Sequence, residues 1–364
     1  MIALTLVLCL FGMLMVFSAS YYVALSKTGN PYEYLINDAM WMAIGWAGLV
    51  VFTMMDYHII RVFSRPFLLV AMGLLVAVLT PLGTVINNAS RWISIGPITL
   101  MPGEIVKTAL IFFTACFYAE DPSKVTRWFY EDGNVVVAGW AAVSALLIIM
   151  EPNLSTAGIV VLLIGGMMVI AGLRWIYVGG LLGLGIAGFV AVVLSPRGEY
   201  MLTRVQTFFD PFKDALGEGY QVVQSLLAFG SGGLTGVGLG KSIQKTLYLP
   251  EPQSDFILPI IGEELGYVAV LALMAVYLLL IWRIIRIAIK APDYLGTLLA
   301  GGIALHIALQ VILNIAVVSA TFFPTGVVLP FISLGGNATG LFLAEIGIVA
   351  NISRQIKDEE EDIS

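Results

Sequence analysis

Apolar stretches follow one another along this chain, some interrupted by Gly or Pro, and each is long enough to cross about 30 Å of hydrocarbon as a helix. Ten can be counted, at 2–23, 39–55, 66–82, 103–119, 135–150, 155–171, 176–194, 256–282, 294–320 and 326–352. Between the seventh and the eighth the pattern gives way to a polar insert, residues 195–255, whose last residues read Pro250-Glu251-Pro252-Gln253-Ser254-Asp255. The predicted fold is all-α: a polytopic membrane protein with ten transmembrane helices and a long extracytoplasmic loop between helices 7 and 8. Residues 1–354 form a single transmembrane domain in this reading, with no fixed-period repeat and no separate soluble unit.

An even number of spans puts both termini on one side, and Lys and Arg decide which, because they concentrate in short cytoplasmic loops. With cytoplasmic termini the inside carries Arg61, Arg65, Lys124, Arg127, Arg174, Arg283, Arg286, Lys290, Arg354 and Lys357. Outside, the insert aside, stand Lys27, Arg91 and Lys107, so the insert faces outward. Ser18-Ala19-Ser20 resembles a cleavage site, but the first segment lacks a basic leading region and its apolar core is too long for a signal peptide. It reads as a retained helix.

Composition agrees with a membrane protein: 59% of residues are hydrophobic and 12% charged, against about 25% charged in an ordinary soluble domain. The net charge of −6 leans on Asp358-Glu359-Glu360-Glu361-Asp362, so residues 355–364 read as an acidic, solvated, disordered cytoplasmic tail. Cys9 and Cys116 both fall inside spans, without a metal-type partner at short spacing, and read as packing residues. His58 and His306 are the only histidines and build no zinc site. The sequence implies no cofactor, leaving a divalent cation undecided, and nothing points to nucleic acid.

Polar residues inside spans are informative, since a charge at mid-bilayer costs on the order of 2.5–3.5 kcal/mol on insertion scales. His306, Gln310 and Asn314 recur every four residues and share one helical face; interhelical hydrogen bonding is their default reading. Pro102 and Glu104 suit a helix N-terminus, and Lys107 three residues on can pair with Glu104. Arg91, beside Trp92, lies at headgroup level, where a phosphate-binding role stands against a structural ion pair and a snorkelling anchor. The glycine-rich stretch Gly230 to Ser242 invites a nucleotide-loop reading and fails it. A Walker loop needs Gly where this chain has Thr235, and no α/β unit surrounds it. What remains is a compact loop whose Lys241 and Lys245 can sit near a pyrophosphate. Asp255 ends the insert at the lip of a helix that carries Glu263 and Glu264, where partial burial can tune a carboxyl for chemistry on a lipid-linked substrate.

These residues carry a resemblance. Ser90-Arg91-Trp92-Ile93 with Pro102, Glu104 and Lys107, then Glu151-Pro152-Asn153-Leu154-Ser155-Thr156-Ala157, then Gly219-Tyr220-Gln221 with Gln224-Ser225 and Gly230 to Gly240 all match in order. The match runs on through Leu249-Pro250-Glu251 to Asp255-Phe256-Ile257, Glu263-Glu264, Pro324-Thr325-Gly326, Leu329-Pro330-Phe331-Ile332-Ser333 and Gly335-Gly336. Over nearly its whole length the chain resembles the SEDS family (shape, elongation, division and sporulation), whose branches include RodA, FtsW and SpoVE. Asn314-Ile315-Ala316-Val317-Val318 and Asn351-Ile352-Ser353-Arg354 lean toward the FtsW and SpoVE branch.

The resemblance implies a multi-pass protein of the bacterial cytoplasmic membrane. The implied activity is peptidoglycan glycosyltransfer from lipid II on the outer face, with an undecaprenyl-pyrophosphate leaving group and the growing glycan-undecaprenyl-pyrophosphate as the second substrate. It implies a class B penicillin-binding protein as partner, among other divisome or elongasome membrane proteins. Asp255 matches the family's essential acid and is the candidate general base. Lys107, Arg91 and Lys241 are candidates to offset pyrophosphate charge, with Glu104 orienting Lys107. Glu263, Glu264, Ser333 and Asn337 read as cavity-lining or structural. The chain departs from the family pattern at Met101 and Gly103 around Pro102, at Gln253-Ser254 before the aspartate, at Asn153, and at Ser333-Leu334-Gly335-Gly336-Asn337. A lipid II flippase and a non-catalytic scaffold of the wall-synthesis complex are the alternative readings.

Overall fold

The computed structural model describes residues 1–86, 89–96, 98–127, 133–174, 177, 179–180, 183, 185, 188, 210–217, 219–322 and 326–362. Ten α-helices are described: α1 Ile2–Thr28, α2 Glu33–Met54, α3 Ile60–Val78, α4 Pro102–Glu120, α5 Asn134–Met150, α6 Leu154–Ile170, α7 Tyr220–Gly232, α8 Ile257–Lys290, α9 Tyr294–Val318 and α10 Asn337–Asp362. They are not the ten expected spans, because α7 lies within the polar insert and the expected span 176–194 falls largely outside the described residues. Among the described residues, α1, α2, α3 with the turn before it, α8 and α9 are long and apolar enough to cross a membrane, and α5 and α6 are shorter apolar helices.

The core is built around α4. Except for Ile105, its residues from Pro102 to Tyr118 are buried, against α3, α5, α6, α9 and α10. The outer helices are apolar on their free faces as well: Val62, Phe63, Leu69 and Val70 on α3 and Leu278 on α8 are exposed. Helices hydrophobic all round are what lipid contact requires.

Two groups of loops gather at opposite ends of the bundle. At one end His58 meets Asp293 at 3.0 Å, Arg65 meets Glu120 at 3.0 Å, and Gln355 donates to Asp56 at 3.1 Å. At the other end Met101, Asn337, Glu151, Arg91 and Asp255 come together. These are the two sets that alternate along the chain in the sequence reading. The basic residues assigned to the inside lie, where described, at the first end, with Arg283, Arg286 and Lys290 lining a cavity of about 580 Å³ there.

Three segments depart from expectation. Between the third and fourth expected spans, where the all-α reading has no strand, β1 Thr84–Ile86, β2 Ala89–Ile95 and β3 Ile98–Leu100 form a three-stranded antiparallel sheet in that order. Cross-strand pairing satisfies backbone groups that would otherwise lie over the bundle without partners. The last span, expected at 326–352, begins as a helix only at Asn337, because residues 326–336 run inward as extended and turned chain. Non-helical backbone at that depth needs internal partners, and it has them: Val327 O accepts from Asn314 Nδ2, Pro330 O from the Tyr277 hydroxyl, and Leu334 N donates to Gln253 O at 2.9 Å. Finally, α10 is helical through Asp362, beyond Arg354 where the order of the chain was expected to end; glutamate propagates a helix well.

Helix α8 is kinked at Gly266, where φ is 79° and ψ 175°. A Cβ there would stand 2.4 Å from Gly236 N and from Leu234 O, so glycine serves both the left-handed backbone and the close approach of the glycine-rich loop. That contact brings the insert back onto the helix that follows it.

Candidate active site

Four helices, α4, α6, α8 and α10, start at the end of the bundle that holds Asp255. Asn337, the first residue of α10, accepts from Met101 N at 3.0 Å and donates to Met101 O at 3.2 Å, which joins it to the start of α4. A Cβ on Gly103 would stand 3.2 Å from Thr156, so α4 and α6 also start together. The residues that lead into α8 are held to the inward loop, Ser254 O by Ser333 Oγ at 2.7 Å and Gln253 O by Leu334 N. Each start leaves backbone N–H groups unpaired within its helix and carries the positive end of the helix dipole, so the junction favours an anion.

Asp255 is half-buried two residues before α8. Among the described residues its carboxylate accepts no hydrogen bond. Its main-chain carbonyl accepts from Asn314 Nδ2 at 2.9 Å, and Gly326 lies so close that a Cβ would be 3.0 Å from Oδ2. Burial pushes its pKa up to about 7; Glu251 adds to that rise, Arg91 opposes it, and Glu104 adds a little more. Arg91, Glu104 and Glu251 thus act on the Asp255 carboxyl through space. A carboxyl with such a pKa takes a proton near neutrality, which suits a general base.

Glu104 and Lys107 pair as expected, with Lys107 Nζ 2.8 and 2.7 Å from the two carboxylate oxygens. Lys107 is wholly buried, so Glu104 fixes the ammonium position. One residue further on, Thr108 donates to Glu345 at 2.7 Å, and Glu345 lies 3.1 Å from His306 Nδ1. The stripe on α9 therefore makes an interhelical bond at His306, whereas Asn314 at its other end donates to the main-chain carbonyls of Asp255 and Val327 outside the helices, and among the described residues the side-chain amide of Gln310 and His306 Nε2 meet no partner. Toward the opposite end the buried face of α9 continues as Ile303, Leu299 and Leu295, so this polar column stops partway along the helix.

Arg91, on β2, donates from Nε to Glu151 O at 3.4 Å and from Nη2 to Pro152 O. It is thereby fixed to the loop between α5 and α6. Glu151 itself is 1% exposed, and among the described residues neither of its carboxylate oxygens is hydrogen-bonded; Asn153, 4% exposed, accepts from Thr156 N as the cap of α6 while its Nδ2 has no partner among them.

The other residues singled out in the sequence are elsewhere in role. Glu263 accepts from the Ser242 hydroxyl, from Ile243 N at 2.9 Å and from Gln244 N at 3.3 Å. Glu264 accepts from Ser18 Oγ at 2.8 Å and from Lys245 Nζ at 2.6 Å. The two glutamates clip the glycine-rich loop to α8 and α1. Lys245, expected near a pyrophosphate, is buried and engaged by Glu264 instead, because a buried ammonium requires a counter-charge. Lys241 is exposed on the same loop, its stem against Gly238, and no described contact joins it to Asp255, Arg91, Glu104 or Lys107. Ser333 and Asn337 act as braces through the bonds above. Cys9 and Cys116 are buried packing residues. No cluster of three or more metal-ligating groups occurs among the described residues.

Sequence reasoning quoted Glu251 and Glu151 within its motifs without giving either a role at the site, and it did not show that Asn314 holds the Asp255 main chain. Glu151 carried a signal, an acid at the end of an apolar run, without showing what lay beside it.

Known proteins resemble the chain over nearly all of it. It matches the cell-cycle protein family that takes in FtsW, RodA and SpoVE over residues 1–358. Stage V sporulation protein E of Bacillus subtilis is 38% identical over 355 residues, covering 97% of this chain and 96% of that protein. A probable peptidoglycan glycosyltransferase FtsW of Trichlorobacter lovleyi is 35% identical, covering 95% and 90%. A chain from a solved peptidoglycan synthase complex, studied for the coordination of polymerization and crosslinking, superposes with a TM-score of 0.73 at 25% identity, over 94% of this chain and 96% of that one. The rod shape determining protein RodA of Thermus thermophilus shares the fold, with a TM-score of 0.69 at 22% identity, over 97% and 95%.

Proposed function

The chain belongs to the cell-cycle protein family of FtsW, RodA and SpoVE, and on that premise we propose that it is a peptidoglycan glycosyltransferase that polymerises lipid II at the outer face of the cytoplasmic membrane, both of its termini being cytoplasmic. The observation that carries this reading is the half-buried Asp255 carboxyl, free of hydrogen bonds from described residues and acted on electrostatically by Arg91 and by Glu104, at the end of the bundle where four helices begin.

In the reaction the acceptor sugar hydroxyl attacks the anomeric carbon of the donor. A carbon–oxygen bond forms there as the bond to the pyrophosphate oxygen breaks, and the pyrophosphate leaves with the electron pair. Asp255 takes the hydroxyl proton. Lys107, Arg91 and the helix starts offset the charge gathering on the leaving group. Lys107 is held in place by Glu104, so the positive charge is organised before substrate arrives.

A class B penicillin-binding protein that crosslinks the strands is the proposed partner, in keeping with the solved synthase complex that this chain resembles. The test is glycan formation from lipid II by purified protein in proteoliposomes. Asp255→Ala and Asp255→Asn are expected to abolish it while remaining folded. Polymerisation at the wild-type rate by both variants would overturn the assignment.

A further inference from the structure

The loop between α5 and α6 has no role in the scheme above, yet it holds two buried polar groups whose side chains lack partners among the described residues. Glu151 is 1% exposed, and neither of its carboxylate oxygens is hydrogen-bonded by a described residue. Asn153 is 4% exposed, and its Nδ2 is likewise unpaired. Leaving such groups unmatched costs free energy, because each has given up its hydrogen bonds to water. Apolar neighbours alone would not keep them there.

Their surroundings have one sign. Asn153 caps α6, a helix of 17 residues, and Thr156 in its first turn touches the start of α4, a helix of 19 residues. Two dipole ends therefore meet beside the loop. Arg91 donates to the main-chain carbonyls of Glu151 and Pro152, and the same guanidinium acts electrostatically on both Glu151 and Asp255. The Glu151 loop is thus joined to the candidate base by one cation.

We propose that the Glu151 carboxyl and the Asn153 amide donate hydrogen bonds to the phosphate oxygens of a polyprenyl-pyrophosphate-linked sugar, with Arg91 supplying the positive charge between that phosphate and Asp255. The proposal rests on the glycosyltransferase reading and deepens it, by naming the loop that holds the pyrophosphate. An ionised glutamate would repel this ligand, whereas a neutral one donates to it. Burial favours the neutral form: it outweighs the pull of Arg91 and pushes the Glu151 pKa up to about 8. The charged groups around the junction are Arg91 on β2, Glu104 and Lys107 on α4, and Glu251 and Asp255 in the insert. Of these, Arg91 is the one that acts on Glu151.

The test uses the full chain in nanodiscs, with undecaprenyl pyrophosphate and undecaprenyl monophosphate as probes and lipid II polymerisation followed from pH 6 to 9.5. Glu151→Ala is expected to weaken undecaprenyl pyrophosphate binding by tenfold or more at pH 7, and Asn153→Ala by threefold or more. The monophosphate is expected to be affected less. In the wild type, binding and polymerisation fall above about pH 8 as the donor proton is lost. Glu151→Gln keeps a donor at every pH, so its alkaline fall disappears. If Glu151→Ala leaves pyrophosphate binding at the wild-type level, or Glu151→Gln shows the same alkaline fall as wild type, the proposal fails. Should Glu151→Ala not fold, the pH profile of Glu151→Gln still decides. Asp255→Asn separates this outcome from the parent reading: a polymerising Asp255→Asn sinks the glycosyltransferase assignment of the site, whereas an inactive one beside ordinary Glu151 variants sinks this proposal alone.

Discussion

Asp255→Asn should make the protein more stable while removing its activity, and the gain should depend on pH. The native Asp255 pKa is about 7 against an ordinary value of 3.8. The folded state therefore holds the proton more tightly than the unfolded chain does. Linkage fixes the sign: between those two values the folded state binds more protons, so its stability falls as pH rises, and the loss is complete above about 7. The stabilisation given by the protonated acid is fully present below the ordinary carboxylate pKa. Asparagine is isosteric and never ionises, so it escapes this loss.

The expected advantage of Asp255→Asn is about 1.5 kcal/mol at pH 5 and about 4 kcal/mol at pH 8, from about 1.36 kcal/mol for each pKa unit. These are upper figures, because the amide exchanges a carboxyl for a group that also wants hydrogen bonds. The assay is thermal unfolding of wild type and variant in one detergent, at pH 5, 6, 7 and 8, beside lipid II polymerisation. The melting temperatures should separate progressively with pH as polymerisation is lost throughout. A difference that is the same at every pH, or an asparagine variant less stable than wild type at pH 8, would show that Asp255 is not ionised against its surroundings and would refute the reasoning.

Polymerisation by the wild type should rise with pH through an acidic limb near 7, and in initial-rate profiles Glu251→Gln should move that limb down while Arg91→Gln moves it up; an unmoved limb counts against the neighbours named. Lys245→Met leaves Glu264 buried without its counter-charge and should cost about 3–5 kcal/mol in thermal or denaturant unfolding, part of which Glu264→Gln in the same chain should restore. Asn314→Leu removes the donors to Asp255 O and Val327 O, so kcat should fall tenfold or more with KM nearly unchanged; equal kcat would show that the main chain of Asp255 keeps its place without them.

Much of the architecture could be read along the chain because each membrane helix must satisfy its own backbone and face lipid with apolar side chains. The starts of α4 and α9 were visible for that reason, the first in Pro102 and the second in a long apolar run. The Glu104–Lys107 pair followed from helical spacing alone. The start of α10 did not, since residues 326–336 are as apolar as a span and differ from one only in where their carbonyls find donors. The sheet at 84–100 was hidden for a similar reason, because its pairing is a relation between segments.

The sequence by itself determined a bundle of membrane helices, the alternation of its loops between two ends, and Asp255 as the acid to examine. These follow from local chemistry: hydropathy, helical period and the placing of Lys and Arg. Only the tertiary structure decided which charges are spoken for. It gave Lys245 to Glu264, left Lys241 exposed, and tied Arg91 to the main chain of Glu151, whose carboxylate has no partner among the described residues, while the same guanidinium acts on Asp255. A charge's role depends on what lies within a few ångströms of it through space, and that distance is set by how four helix starts meet.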